Sequence, residues 1–266
     1  MKKYLYGMIV VLALNLSLTK VQAQEASTPD VEEIVKKANL VAYYQADDGK
    51  AKVTMTITPK QGPKRKREFN ILRKDVADGG DQNYYVYFLN PPDVRKMVYM
   101  VHKHVDKDDD RWLYLSAIDR VNRVAAGDKR TSFVGSDFLY EDVSGRGLDQ
   151  DVHELTATTE TQYVVKNTPK RPDSVGFSYY TVAIDRANYV PMKMAFFDKS
   201  GKLYRSIEST EVEEVDGFVT VLKSVVKDLR TGSQTEMAFS KVKFNVGLKD
   251  IFQERYLKRA PSEARR

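Results

Sequence analysis

The chain has 266 residues, 42% of them hydrophobic and 30% charged, and no cysteine. The lack of cysteine excludes disulfides, thiol nucleophiles and thiolate metal sites together, so the fold has to rest on its core. The formal net charge is +6, but the first 23 residues hold Lys2, Lys3 and Lys20 and no acid, which leaves +3 for the rest; so small a balance argues against a nucleic-acid protein, which would carry a strong basic stripe.

Residues 1–23 read as a signal peptide. Lys2 and Lys3 supply the charged start, Leu5 to Leu18 the mostly apolar run, and Val21-Gln22-Ala23 a cleavage site after Ala23. The run is short and interrupted for a permanent span, which needs roughly 20 residues. No cysteine follows it to carry a lipid. Residues 24–259 are expected to form one domain, and 260–266 a flexible tail.

Pro29 suits a first helical position, with Thr28 as N-cap. Val31, Ile34, Val35, Ala38 and Val41 recur at helical spacing, which predicts one amphipathic helix ending before Asp48-Gly49. From Lys50 the period changes to two. Val53, Met55 and Ile57 alternate with threonines, and Pro59 to Pro63 turns the chain into a return strand that opens with Lys64-Arg65-Lys66-Arg67. Strands follow over 84–89, 97–105, 112–116 and 121–125, separated by Gly, Pro and Asp clusters. After a central loop they resume over 152–157, 161–166, 177–184, 190–197, 203–212, 217–229 and 235–246, and 252–257 is a last short element. The total is taken as about eleven or twelve strands, mostly hairpin-connected, plus one helix. The fold class is mainly β, a strongly curved antiparallel sheet.

Few residues suggest chemistry. His102 and His104 share a strand face, but with only His153 besides, no metal site is expected. Asp106, Asp108 and Asp110 begin like a calcium loop, yet Arg111 and Ala117 stand where that loop needs glycine and glutamate. There is no G-x-S-x-G and no glycine-rich phosphate loop. Glu141-Asp142 is a carboxylate pair open to acid–base work, to capping a helix start, or to pairing with Arg120, Arg123 or Arg146. No enzyme activity and no cofactor are expected. The basic hairpin Lys60 to Arg67 reads first as a solvated sheet edge, and second as a contact for anionic headgroups or an acidic partner.

The densest stretch runs from Asp110 to Arg146. It holds Trp112-Leu113-Tyr114-Leu115, then Arg120-Val121 and Arg123, then Ser132-Phe133-Val134-Gly135-Ser136-Asp137-Phe138-Leu139-Tyr140-Glu141-Asp142. This ordered string resembles the outer-membrane lipoprotein-sorting protein family, which is periplasmic and related to the lipoprotein carrier LolA. Ser116 and Asn122 depart from the pattern, where proline and a second adjacent basic residue are expected.

The resemblance implies a half-open barrel closed by helix and lid, located in the periplasm. It implies a carrier of acyl chains of lipids or lipoproteins, working between an inner-membrane transporter and an outer-membrane acceptor. Trp112, Tyr114 and Leu115 are then expected at a hydrophobic cavity. Tyr85, Tyr87, Met97 and Tyr99 are expected there too, since aromatics with a polar handle and adaptable methionines suit a partly wet apolar surface. Phe133, Phe138 and Tyr140 are expected in the lid, with Arg120 and Arg123 tying it to Asp137, Glu141 or Asp142. The competing expectation is an envelope module with a filled core and a protein partner.

Overall fold

The computed structural model describes residues 29–77 and 79–266; the expected signal peptide and Thr28 lie outside the described residues. Among the described residues, thirteen strands form a single antiparallel sheet in the order β6-β5-β4-β3-β2-β1-β13-β12-β11-β10-β9-β8-β7. They are β1 (Asp48–Thr58), β2 (Arg65–Asp75), β3 (Gln82–Asn90), β4 (Val98–Lys103), β5 (Asp110–Leu115), β6 (Arg120–Arg123) and β7 (Asp151–Thr158). β8 (Gln162–Pro169), β9 (Tyr179–Asp185), β10 (Pro191–Phe197), β11 (Leu203–Val215), β12 (Phe218–Asp228) and β13 (Ser233–Phe244) complete it. Nearly every neighbour is the next strand in sequence. The exceptions define the architecture. β1 pairs with β13 and joins the two halves of the chain. β6 and β7, consecutive in sequence, are the two free edges, so the sheet is curved but unclosed. The segment between them, residues 124–150, is the lid.

α1 (Val31–Tyr43) carries the expected stripe, with Ile34, Val35 and Ala38 buried. Its N-cap is Asp30, and Pro29 lies outside the helix. The stripe packs on Val165, Val182 and Ile184 of the β8–β9 hairpin. Those strands alternate buried and half-exposed positions because their other face meets water.

β3 and β4 are different. Residues 84–88 are all buried, and so are 97–101. A strand reads as a continuous apolar run when both its faces are covered, and here one cover comes from the middle of the chain and the other from its C-terminal segment. On one face the lid residues Phe133, Phe138 and Tyr140 pack on Phe69, Phe88 and Tyr99. On the other, the C-terminal residues Leu248, Ile251, Phe252 and Leu257 pack on Leu72, Tyr85, Met100 and Trp112. The chain after β13 therefore contains two short helices, α3 (Arg255–Lys258) and α4 (Ser262–Arg265). The expected flexible tail is corrected here. Ala264 is fully buried, and the Asn70 side-chain amide donates to the carbonyls of Ala264 and Arg266, both at 2.9 Å. Loose polar composition misled the reading, because one small apolar side chain and two backbone carbonyls suffice to dock the segment.

Candidate functional site

Between the inner face of the sheet, α1 and the lid lies a cavity of about 700 Å³. Its walls follow from strand parity, because alternate side chains face opposite ways. β2 and β3 contribute Phe69, Ile71, Tyr84 and Val86, β10 and β11 contribute Met194, Phe196 and Ile207, and α1 contributes Val35, Ala38 and Val41. The size lies within the range of roughly 300–1,000 Å³ found for small-molecule sites. Lining residues reach solvent at both ends. Ala42 is exposed beside the C-terminal turn of α1, and Gly176 and Arg230 are exposed in turns at the far end of the sheet.

The lid is clamped. Phe133 is fully buried among Phe69, Phe88, Tyr99 and Tyr140, with ring centroids 5.5–6.0 Å away. Val134 (φ 49°) and Gly135 (φ 76°) are left-handed and turn the chain back over it. Asp137 accepts hydrogen bonds from the hydroxyls of Ser233 and Thr235, which pins the lid to the start of β13. Short helix α2 (Tyr140–Ser144) follows. The Asp142 carboxylate accepts from the Leu139 N–H at 2.7 Å and pairs with Arg205 of β11. Burial raises the Asp142 carboxyl above its usual range, and the Arg205 charge works against that rise. Glu141 is 7% exposed and meets Arg130 at 3.0 Å and Lys129 and Arg146 at 3.5 Å. Arg146 in turn holds Asp151 of β7 by two bonds of 2.8 and 2.9 Å, so the lid ties down one free edge of the sheet.

Lys103 closes the inner corner. Its ammonium donates to the Ser144 carbonyl at 2.6 Å and lies over the rings of Tyr43 and Tyr44. Burial pushes it down to about 8. Gly145 follows at φ 78°, and a Cβ there would sit 2.6 Å from the Tyr43 ring. Gly145→Ala is therefore expected to cost more than about 1 kcal/mol, from the left-handed backbone and the clash together. Thermal melts of the variant against wild type check it, and an unchanged melting temperature would show that lid and helix do not close as described.

Several residues expected at the cavity lie elsewhere. Phe133, Phe138, Asp137, Glu141 and Asp142 do line it. Tyr99 and Tyr140 pack behind Phe133, and Met97 and Leu115 belong to the same cluster. Tyr85, Tyr87, Trp112 and Tyr114 are on the opposite face, under the C-terminal segment. Arg120 and Arg123 do not hold the lid. Arg123 pairs with Asp110 at 3.0 Å and stacks over Trp112 at 5.0 Å, while Arg120 is exposed on the free edge strand β6. The lid's basic partners are Lys129, Arg130, Arg146 and Arg205. The first three are close enough in sequence to be candidates; Arg205 is brought in only by the fold. His102 bonds the Phe252 carbonyl, and His104 lies between Asp81 and Asp110. Among the described residues, no cluster of three or more His, Asp or Glu is placed to hold a metal.

The position of Trp112 changes what its loss should do. It is 3% exposed, against His102 and the C-terminal segment. Trp112→Ala is expected to destabilise by about 3 kcal/mol, with ligand retention per folded molecule unchanged. Denaturant melts beside a binding assay separate the two effects, and retention that falls further than the folded fraction would return Trp112 to the cavity.

The curved, unclosed antiparallel sheet with a helix and a lid is a LolA-like fold. A family model described only as an uncharacterized protein matches residues 80–259, more than half of the chain, and the chain belongs to that family. A crystal structure of a DUF1329 family protein from Desulfovibrio piger superposes with a TM-score of 0.78 at 26% identity, covering 86% of this chain and 100% of that one. A domain from Vibrio parahaemolyticus assigned to outer membrane lipoprotein sorting gives 0.77 at 26% identity, with the same coverage. A LolA superfamily protein from Nitrosomonas europaea shares the fold, with a TM-score of 0.67 at 16% identity, again over 86% and 100% of the two chains. No curated protein matches the sequence.

Proposed function

We propose that this chain is a periplasmic carrier that takes the acyl chains of a lipid or lipoprotein into its cavity and shields them in transit to the outer membrane. The observation that carries the reading is the cavity itself, about 700 Å³ and walled mainly by apolar side chains of sheet, helix and lid. The driving force is transfer of apolar surface out of water, about 0.8 kcal/mol for each buried methylene. Release then needs either a change in the lid or handover to an acceptor. An inner-membrane transporter as donor and an outer-membrane acceptor complete the proposal. The rival reading, an envelope module with a filled core, finds no support in a cavity of this size. No catalytic set is part of the proposal: the carboxylates at the cavity wall are all engaged with arginines, lysines or hydroxyls.

Native mass spectrometry of the mature protein, gently purified from an envelope extract and followed by solvent extraction, tests the proposal. An added mass that extracts as a lipid is the expected result. A clean apo mass that does not shift when lipids are offered would sink it.

A further inference from the structure

Antiparallel pairing sends alternate turns to opposite ends of the sheet. The registers keep one end aligned across the sheet, through the pairs Leu115 with Arg120, Glu68 with Asn90, Ile57 with Arg65, Asp228 with Ser233 and Phe197 with Leu203. The turns at this end are β1–β2, β3–β4, β5–β6, β8–β9, β10–β11 and β12–β13. The first two hold Lys60, Lys64, Arg95 and Lys96. The last three hold Lys170 and Arg171, Lys199 and Lys202, and Arg230. All of these are exposed. Among the described residues only Arg230 has a carboxylate partner, Asp228 at 3.4 Å.

The acids of the same turns are fewer and mostly engaged. Asp93 pairs with Arg67 and Asp119 with Lys258. Asp198 accepts hydrogen bonds from its own turn, and Asp173 completes the set. The other end has the opposite sign. Its turns carry Asp47, Asp81, Asp106, Asp108, Asp109, Glu160 and Asp216 against Lys107 and Arg186. A nearly neutral mature chain is thus split into two poles, which the bulk charge conceals.

We propose that the β1–β2 end of the sheet is a docking face for an anionic phospholipid bilayer. The cations come from five separate turns strung along the whole end. They do not converge on one point, as a site for a small anion requires, and so they fit an extended anionic surface. Clustered lysines and arginines are attracted to such a surface. Two exposed apolar side chains stand at the same end, Ile118 in the β5–β6 turn (64% exposed) and Leu229 beside Arg230 (51%). The cavity opens here as well, since Gly176 and Arg230 belong both to these turns and to its lining. Docking this end on a bilayer sets the cavity mouth against the headgroups from which an acyl chain would enter. The inference deepens the carrier reading and rests on it for the direction of transfer; the docking itself stands on the charge distribution.

Vesicle co-sedimentation of the mature protein tests it. The probes are phosphatidylcholine vesicles, and the same vesicles with roughly one third phosphatidylglycerol, at low salt and at about 1 M salt, where the Debye length falls to about 3 Å. Binding is expected to the anionic vesicles only, and to be lost at high salt. The fourfold variant Lys60→Glu, Lys64→Glu, Lys199→Glu and Lys202→Glu should bind at least about 100-fold more weakly. Asp106→Lys with Glu160→Lys, at the other pole, should bind no worse than wild type. All these positions are exposed, and unchanged melting temperatures verify the folds. Equal binding to neutral vesicles, binding that survives high salt, or a fourfold variant that binds like wild type would overturn the proposal. So would no binding to either vesicle, which would point the face at an acidic protein instead. Uptake of a fluorescent fatty acid in vesicle-free solution reads the carrier function separately. It should persist in the fourfold variant, and its failure in wild type would count against the carrier reading while leaving the docking result standing.

Discussion

Phe133→Ala should cost about 3–5 kcal/mol, the range for deleting a fully buried aromatic side chain. The ring has no exposed area and touches four other aromatic rings, each pair worth about 0.5–1.5 kcal/mol beyond burial alone. Little can collapse into the gap. Phe69 and Phe88 sit on paired strands, and Tyr99 is held by its neighbours on β4. For a chain of this size the loss is a fall of at least about 6 °C in melting temperature. The damage should also be local first. The lid's ties to the sheet over this stretch include this ring, Asp137, the Asp142–Arg205 pair and the Lys103 bond to the Ser144 carbonyl, so amides of residues 131–144 should exchange faster than those of β3 before the whole chain unfolds. Phe133→Leu, which keeps most of the volume, should recover most of the stability. Hydrogen exchange and calorimetry on the two variants decide. A loss below about 1 kcal/mol in the alanine variant would mean that the lid is not anchored through this ring.

The fold class was legible because its signals are local. Alternation with a period of two, turn residues between runs, and one stripe at helical spacing specified an antiparallel sheet and a helix, and the resemblance implied its half-open curvature. What was illegible is which face of a strand looks inward. Residues Tyr84-Tyr85-Val86-Tyr87-Phe88 are apolar throughout, so their parity carries no information, and choosing Tyr85 and Tyr87 selected the wrong set. Trp112 and Tyr114 failed for the same reason. A signal was present at the far end of the sequence: Leu248, Ile251, Phe252 and Leu257 are apolar residues after the last long strand, and they require a second apolar surface to cover. The lid motif was recognisable as a string, but of the partners of its acids only Arg146 was. Asp142 finds Arg205, 63 residues away, because β11 passes beneath α2. No local spacing encodes that contact. The polarity of the sheet ends was hidden differently. Each turn carries only one or two charges, and only the strand order reveals that turns of like charge share an end.

The second large effect follows from that same distant pair. Arg205 and Asp142 are both largely buried, with side chains 5% and 15% exposed. Breaking a buried ion pair by removing one partner costs about 3–5 kcal/mol, since the remaining charge is stranded. Arg205→Met should therefore destabilise by this amount at neutral pH. The sign of its pH dependence is fixed. Burial already raises the folded-state Asp142 carboxyl above its usual value, and the arginine is what opposes that rise. Without it the folded state prefers the protonated acid. The deficit of the variant relative to wild type should be small below the unfolded carboxyl value, about 3.9, and should grow as pH rises through the raised folded value. Urea melts of both proteins at acid and neutral pH measure the difference directly, and shared titrations cancel. The double variant Arg205→Met with Asp142→Leu should recover most of the loss, because removing both partners leaves no stranded charge. If it does not, the weight lies in Arg205's other contacts, its stacking on Phe196 at 5.1 Å and its bond to the Asp137 carbonyl at 3.3 Å. Both side chains line the cavity. The double variant also replaces a polar spot on the wall with apolar surface, so a carrier of acyl chains should hold its ligand at least as tightly once the pair is gone.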